Sequence, residues 1–201
     1  MQLIGHLDSP YVRRVAVAAQ YLGIEIEHRF LSVFRDYDEF RAVHPLVKVP
    51  TLITDDGNAM VDSGLIIDYM KSVSGNSLQP AADADRQQSM RYSGEALVAM
   101  EKGAAMIYET VVRPAEKIHE PWKARLEEQL LGALQLLESR AADKQVPMFD
   151  SGICQADIDI AIAWSFIRLK DFDAVDESAY PALNAFAASA EALPEFIACS
   201  P

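Results

Sequence analysis

Residues 2–23 read QLIGHLDSPYVRRVAVAAQYLG, and this stretch predicts the first strand and the first helix of the chain. Residues 2–7 are predicted to form a short apolar strand. Ser9 then has the character of a helix N-cap, and Pro10 suits the first helical turn. The apolar residues that follow recur at helical spacing and predict one buried face: Val12, Val15, Ala16, Ala19 and Leu22. Gly23 is typical of the residue just past a helix end, so the stretch predicts a strand–turn–helix unit.

Further strands and helices follow on the C-terminal side of this unit. Residues 25–31 alternate polar and apolar and predict a second strand, and a short helix is expected within 36–43. Pro50 opens a third strand, and Asp56-Gly57 predicts a hairpin to a fourth strand at 59–61. Ser63 begins another helix. The order is βαβαββα, with strands 1 and 2 parallel because their crossover is right-handed, and strands 3 and 4 antiparallel.

The character of the chain changes after this region. Residues 75–84, GNSLQPAADA, have the small, polar composition of a linker. Beyond them nearly every segment predicts helix, at about 85–112, 121–141, 155–170 and 181–191, with prolines between the segments. We therefore predict an α/β domain over 1–74, a linker over 75–84 and an all-helical domain over 85–201.

Composition narrows the classes of function. The chain has 201 residues and a formal net charge of −12, which repels phosphate backbones and argues against a nucleic-acid partner. It has no run of 18 uninterrupted apolar residues, and its first residues do not resemble a secretory signal, so no membrane association and a cytoplasmic location are expected. The two cysteines and four histidines show no metal-ligand spacing, so no metal is expected.

Three stretches of the first domain carry candidate chemistry. Ser9, at a strand-to-helix turn, can donate its hydroxyl hydrogen to an anion that also faces the helix N-terminus, although a plain N-cap role stays open. The segment 44–52, HPLVKVPTL, contains Pro50 as a candidate cis proline, which would free the Val49 backbone to pair with an extended peptide. Lys48 could meet a carboxylate, or be simply solvated.

The third stretch is Asp62-Ser63, at the start of the next helix. Ser63 can cap that helix, and its N–H groups can receive a carboxylate. Asp62 can pair with an amino group. A plain helix cap is the alternative.

Together these stretches resemble the glutathione S-transferase family, in which SPxxR, NPxGKVPxL and (E/D)S follow one another at similar spacing. The resemblance extends into the helical half, where Cys154 to Asp157 is similar to the family's S/T-x-x-D helix start. It implies a thioredoxin-like N-terminal domain followed by an all-helical domain, with glutathione as co-substrate. The closest likeness is to small bacterial members with a serine in the active-site turn.

The resemblance also implies roles for individual residues. Ser9 is implied to stabilise the glutathione thiolate and Val49, before Pro50, to bind the cysteinyl backbone. Asp62 and Ser63 are implied to hold the γ-glutamyl group. The remaining candidates are Lys48 and Arg35 for the glycyl end, and Tyr11, Met106 and Tyr108, with Met100, for a hydrophobic substrate pocket.

The family likeness has departures and leaves alternatives. Val47 and His44 stand where the family often has glycine and asparagine, and Cys154 replaces the usual Ser/Thr cap. The methionines and Tyr108 can equally belong to a helical core. The expected function is conjugation of glutathione to a small hydrophobic electrophile, as in detoxification, by a homodimer. The alternatives are glutathione-dependent isomerisation, dehalogenation or peroxide reduction, or a regulatory binding protein with little activity.

Overall fold

The computed structural model describes all 201 residues, which divide into two compact units. The first unit contains Met1–Leu78 together with Ala192–Pro201, and the second contains Gln79–Glu191. Residues 192–201 were predicted to be part of the helical domain, whereas in the structure this tail packs with the first unit. The reason is that Phe196 in the tail is fully buried there and needs a partner surface.

The first unit contains a four-stranded sheet with the order β2-β1-β3-β4. The strands are β1 (Gln2–Ile4), β2 (Glu27–Arg29), β3 (Thr51–Ile53) and β4 (Ala59–Val61). β1 is parallel to β2 and antiparallel to β3, and β3 is antiparallel to β4. This arrangement confirms the predicted thioredoxin-like topology. β4 matches its predicted range, whereas the other three strands are shorter than the sequence suggests. β1, for example, ends before Gly5, whose φ of 135° departs from ordinary strand geometry.

Helix α1 (Pro10–Leu22) follows β1 and carries the candidate turn at its N-terminus. It begins after Ser9 and ends at Gly23, which adopts the left-handed conformation that glycine tolerates best. The burial is greater than the predicted single face, because every residue from 12 to 19 is buried, including two arginines. The helix packs against β1 and two further helices of the unit, α3 (Ser63–Ser74) and α8 (Pro194–Ile197).

The remaining helix of the first unit, α2 (Tyr37–Val43), lies within the predicted range and places Phe40 in a buried cluster with Ile4 and Leu31. The hairpin between β3 and β4 forms as predicted, with Gly57 at a φ of 84°. These elements hold the loops that carry the candidate residues.

The second unit is helical, as predicted. Its helices are α4 (Asp83–Ile107), α5 (Glu120–Ala141), α6 (Gln155–Lys170) and α7 (Pro181–Glu191). α4 packs against α5 and α6, and α7 packs against α5 and α6. α4 starts two residues before the predicted position and does not remain regular to residue 112, because Tyr108–Val112 forms a π-helical turn. No helix combines the length and apolar character that a membrane crossing requires.

Candidate functional site

The turn at Ser9 leaves its side chain available for chemistry. Ser9 is the N-cap residue of α1, with extended backbone angles, but its side chain makes no capping hydrogen bond. Its carbonyl accepts the first intrahelical bond, from the Arg13 N–H at 3.0 Å. Because the hydroxyl is not used in the cap, it can donate to a group that approaches the helix N-terminus. The plain N-cap role is therefore not what this side chain performs.

The loop before β3 has the geometry that the sequence suggested. The Val49-Pro50 peptide bond is cis, and Pro50 is buried. Neither the N–H nor the C=O of Val49 takes part in a backbone hydrogen bond within the chain. These groups are free to pair with an extended ligand backbone. Val47, at the position where glycine is common in the family, has a φ of 46°, which explains why glycine suits that position.

Gly5 connects this loop to the Ser9 turn by close packing. A methyl group built on its Cα would lie 2.6 Å from Val12 Cγ2 on α1 and 2.9 Å from Val49 Cγ1. The end of β1 thus brings the start of α1 and the cis-proline loop into contact. Sequence reasoning missed this residue, although glycine at the end of a strand is a signal of close backbone approach.

At the start of α3, the helix cap is not the residue that the sequence suggested. Asp62, not Ser63, is the N-cap: its Oδ1 accepts from the N–H groups of Gly64 at 2.9 Å and Leu65 at 3.1 Å. Ser63 cannot cap because it is already the first helical residue. Asp62 has a φ of 77°, a conformation that costs a non-glycine residue about 1–3 kcal/mol. Such backbone strain is concentrated at binding and catalytic sites.

Arg14 links the two helices that carry the site, and sequence reasoning missed it. Its Nη1 donates to Ser63 Oγ at 2.9 Å, and both residues are buried. The signal was present in the sequence, because two consecutive arginines stand among the apolar residues of α1. The neighbouring Arg13 has a different partner: its Nε donates to the Cys199 carbonyl at 2.9 Å.

The two cationic candidates for the glycyl end are exposed. Lys48 and Arg35 both lie on loops, and neither side chain forms a hydrogen bond or ion pair within the chain. The structure provides no contact that ties Arg35 to Ser9, Val49 or Ser63. Both remain predictions.

The three pocket candidates lie in different units. Tyr11 is half-buried at the start of α1 in the first unit, whereas Met106 and Tyr108 are in the second. Met106 is buried at 3% exposure, as a core methionine would be, and Tyr108 is 54% exposed. Met100 is fully buried in α4. Tyr108 is therefore better placed than Met100 to meet a ligand.

The π-helical turn after α4 is stabilised by a buried carboxylate. Glu109 accepts from Arg113 Nε at 2.9 Å and from the His119 N–H at 2.9 Å. The backbone N–H of His119 and the Arg113 side chain hold the pKa of Glu109 below its usual range. Glu109 is thus an ionised structural group that closes the loop between α4 and α5.

Asp157 and Cys154 form the start of α6. Asp157 accepts from the backbone N–H groups of Met148 and Cys154, each at 2.8 Å. Burial, followed by the nearby Asp157 carboxylate, raises the pKa of the Cys154 thiol to about 12. The thiol is therefore protonated at neutral pH and is not a nucleophile. The chain groups no three His, Cys, Asp or Glu side chains in a way that could hold a metal ion.

Comparison with known proteins agrees with this geometry. The family model of the glutathione S-transferase N-terminal domain matches residues 3–77. The chain is 29% identical over 146 residues to the uncharacterised GST-like protein YibF of Escherichia coli, covering 71% of each chain. It is 34% identical over 80 residues to the isoprene-epoxide glutathione S-transferase of a Rhodococcus species, covering 40% of this chain and 31% of that one.

A solved structure supports the same assignment over the full length. A glutathione transferase family member from Pseudomonas fluorescens Pf-5, determined with bound glutathione, superposes with a TM-score of 0.83 at 26% identity. It covers 100% of this chain and 98% of that one. Residues 3–77 thus match the N-terminal domain of the glutathione S-transferase family, and the whole chain has the fold of a solved member of that family.

Proposed function

We propose that the protein is a glutathione transferase that joins the glutathione thiolate to a small hydrophobic electrophile. The observation that carries the proposal is the Ser9 hydroxyl, which stands at the start of α1 and is not used to cap the helix. In this proposal it donates to the glutathione sulfur. The free Val49 backbone pairs with the cysteinyl residue, and the start of α3 receives the γ-glutamyl group.

The energetics of this assignment are sufficient. A free thiol has a pKa near ~8.5, so only about 3% is thiolate at pH 7. Lowering that pKa by ~2 units makes the thiolate dominant and requires about 2.7 kcal/mol. One charge-assisted hydrogen bond contributes about 1.5–3 kcal/mol, and the helix N-terminus adds up to about 1 kcal/mol. Ser9 and α1 therefore supply enough stabilisation without a general base.

In this proposal two residues, Asp62 and Ser63, bind the two charged ends of the γ-glutamyl group. Asp62 Oδ1 is engaged in capping α3, which leaves Oδ2 to accept from the ligand's α-amino group. The Ser63 N–H has no intrahelical acceptor, since it belongs to the first turn, and it can donate to the ligand's α-carboxylate. Lys48 and Arg35 remain candidates for the glycyl carboxylate, because both are exposed and able to swing towards a ligand.

Replacement of Ser9 by alanine tests the proposal. Ser9→Ala should raise the pKa of bound glutathione and lower the conjugation rate about 10- to 1000-fold, because one preorganised donor is lost. The ultraviolet absorbance of the thiolate, titrated against pH with the protein saturated, measures the pKa directly.

Ser189→Ala is the matched control, because Ser189 is an exposed serine on α7 in the second unit and donates only to the Ala185 carbonyl. It should leave both the pKa and the rate unchanged. An unaltered titration curve for Ser9→Ala would remove this hydroxyl from the mechanism.

The nature of the electrophile requires a panel of substrates. Because one relative acts on an isoprene epoxide, a small epoxide belongs in the panel with an aryl halide. The same thiolate could also serve isomerisation, reductive dehalogenation or peroxide reduction. Formation of a stable thioether, followed by mass spectrometry, distinguishes transfer from these reactions. Binding of glutathione without turnover of any compound would favour the regulatory alternative.

We also propose a homodimer. Apolar side chains are exposed in both units: Phe30, Phe34 and Leu46 in the first, and Met90 and Val98 in the second. A two-fold interface would bury each set twice, and two-fold dimers are the commonest oligomers. Light scattering should give twice the chain mass of 22.2 kDa. A mass equal to one chain would contradict the dimer.

A further inference from the structure

The hydroxyl of Ser63 has a defined hydrogen-bonding state. It is the acceptor for Arg14 Nη1 at 2.9 Å, and the Ser63 side chain is buried, at 6% exposure of the residue. A guanidinium can only donate, so the Ser63 hydroxyl hydrogen cannot point towards Arg14. No hydrogen bond within the chain uses that hydrogen. Arg14 therefore holds the hydroxyl oxygen of Ser63 and leaves the hydroxyl hydrogen available to a ligand.

The backbone around Ser63 leaves the same residue with a second free donor. The capping side chain of Asp62 occupies the N–H groups of Gly64 and Leu65, and the Asp62 carbonyl accepts from Ile66 at 2.9 Å. Among the N–H groups in the first turn of α3, the one on Ser63 is left without an acceptor. Its N–H and its hydroxyl thus form a pair of donors on one residue, which suits the two oxygens of a carboxylate.

We propose that Arg14 is a positioning residue that orients the Ser63 hydroxyl towards the α-carboxylate of the γ-glutamyl group. This inference rests on the proposed function. A hydroxyl that accepts from a charged donor is polarised and becomes a better donor itself. Without Arg14 the hydroxyl rotates freely and loses part of its bond to the carboxylate. Arg14 also comes from α1, so the helix that presents Ser9 sets the geometry at the opposite end of the ligand.

The test compares glutathione with 4-aminobutanoyl-cysteinylglycine, which differs from it only by the absence of the α-carboxylate. Calorimetry on the wild-type protein comes first: it should bind glutathione more tightly than the analogue. Failure to bind glutathione at all would remove the proposed function, and this result is separate from the outcome for Arg14.

The variants then address Arg14. Arg14→Met should weaken glutathione binding about 10-fold or more, as expected for a lost charge-assisted bond, and leave the affinity for the analogue unchanged. Ser63→Ala should have the same selective effect, and the double variant should add little, because both residues act on one hydrogen bond. Arg14→Lys, which keeps a donor, should restore part of the preference.

Arg13→Met is the matched control. It removes the neighbouring buried arginine, whose partner is the Cys199 carbonyl, and should leave the ratio of the two affinities unchanged. Equal weakening of glutathione and analogue binding by Arg14→Met would indicate a purely structural role and overturn the inference.

A measurement on the wild-type protein covers the case in which Arg14→Met does not fold. The nitrogen resonances of the Arg14 guanidinium, assigned by through-bond correlation from its backbone amide, should shift on saturation with glutathione. The analogue should shift them much less. Equal shifts with the two ligands would also overturn the inference.

Discussion

Replacement of Gly5 by alanine tests the packing that joins the two site loops. The φ of Gly5 is 135°, a region that residues with a side chain rarely adopt. The added methyl group would lie 2.6 Å from Val12 Cγ2 and 2.9 Å from Val49 Cγ1, and both distances are below normal contact. Valine is stiff about χ1, so neither methyl group can turn away freely. The substitution should therefore displace α1 or the cis-proline loop.

The expected cost follows from two contributions. Backbone strain at such a φ costs about 1–3 kcal/mol, and overpacking of a dense core costs about 1–3 kcal/mol more. The smaller entropy of the unfolded alanine chain offsets about 0.4–1 kcal/mol. The free energy of unfolding should thus fall by about 1–6 kcal/mol. Glutathione affinity should fall about 10-fold, because Val49 moves relative to Ser9.

Urea denaturation followed by far-ultraviolet circular dichroism measures the stability, and calorimetry measures the affinity. Two glycine controls separate the contributions. Gly75→Ala adds strain at a φ of 71° but meets no atom within 4 Å, so it should cost about 1 kcal/mol. Gly103→Ala brings a methyl group within 2.6 Å of Ile167 Cδ1 in the second unit, and should destabilise without changing the intrinsic glutathione site. If the free energy of unfolding of Gly5→Ala lies within about 0.5 kcal/mol of the wild-type value, the steric reasoning is refuted.

Three further predictions concern stability. Phe196→Ala should lower the free energy of unfolding by about 3–5 kcal/mol in urea titrations, because the ring is fully buried and its centroid lies 5.9 Å from the Arg13 guanidinium carbon. A loss below about 1 kcal/mol would show that the tail contributes little to stability. In the same assay Asp157→Ala should lower the free energy of unfolding by about 2–5 kcal/mol, because two buried N–H groups lose their acceptor. Asp157→Asn should cost about half as much, and an equal loss of stability in the two variants would contradict this account. Because the pKa of Cys154 rises from 9.0 to about 12 on folding, the unfolded thiol ionises first, so stability should fall by about 1 kcal/mol per pH unit as the pH rises above 9. Cys154→Ala should reduce that slope in urea titrations at pH 8, 9 and 10, and an identical slope in both proteins would count against the assignment.

Several features of the candidate site were visible in the sequence because they depend on neighbours along the chain. The N-cap at Ser9 followed by Pro10, the glycine after α1 and the Asp56-Gly57 hairpin are set by local backbone preferences. The cis Val49-Pro50 bond was likewise suggested by its own residues. These signals were enough to predict the βαβαββα topology.

The choice of Asp62 rather than Ser63 as the cap of α3 was not predictable in the same way. Both residue types cap helices well, so composition does not decide which one precedes the first helical turn. The choice depends on where β4 ends and on the positive φ of Asp62, which the surrounding fold maintains. Because α3 begins one residue earlier than a cap at Ser63 would require, the Ser63 hydroxyl does not cap the helix.

Periodicity and turn chemistry act over a few residues, so the order of elements, the position of Ser9 at a helix start and the family likeness could all be predicted from the sequence. Tertiary packing sets the bonds from Arg14 to Ser63, 49 residues away, and from Arg13 to the Cys199 carbonyl, 186 residues away. A buried arginine is stable only where a distant acceptor satisfies its donors. Which acceptor it meets depends on how helices from remote parts of the chain pack together, and no local pattern records that choice.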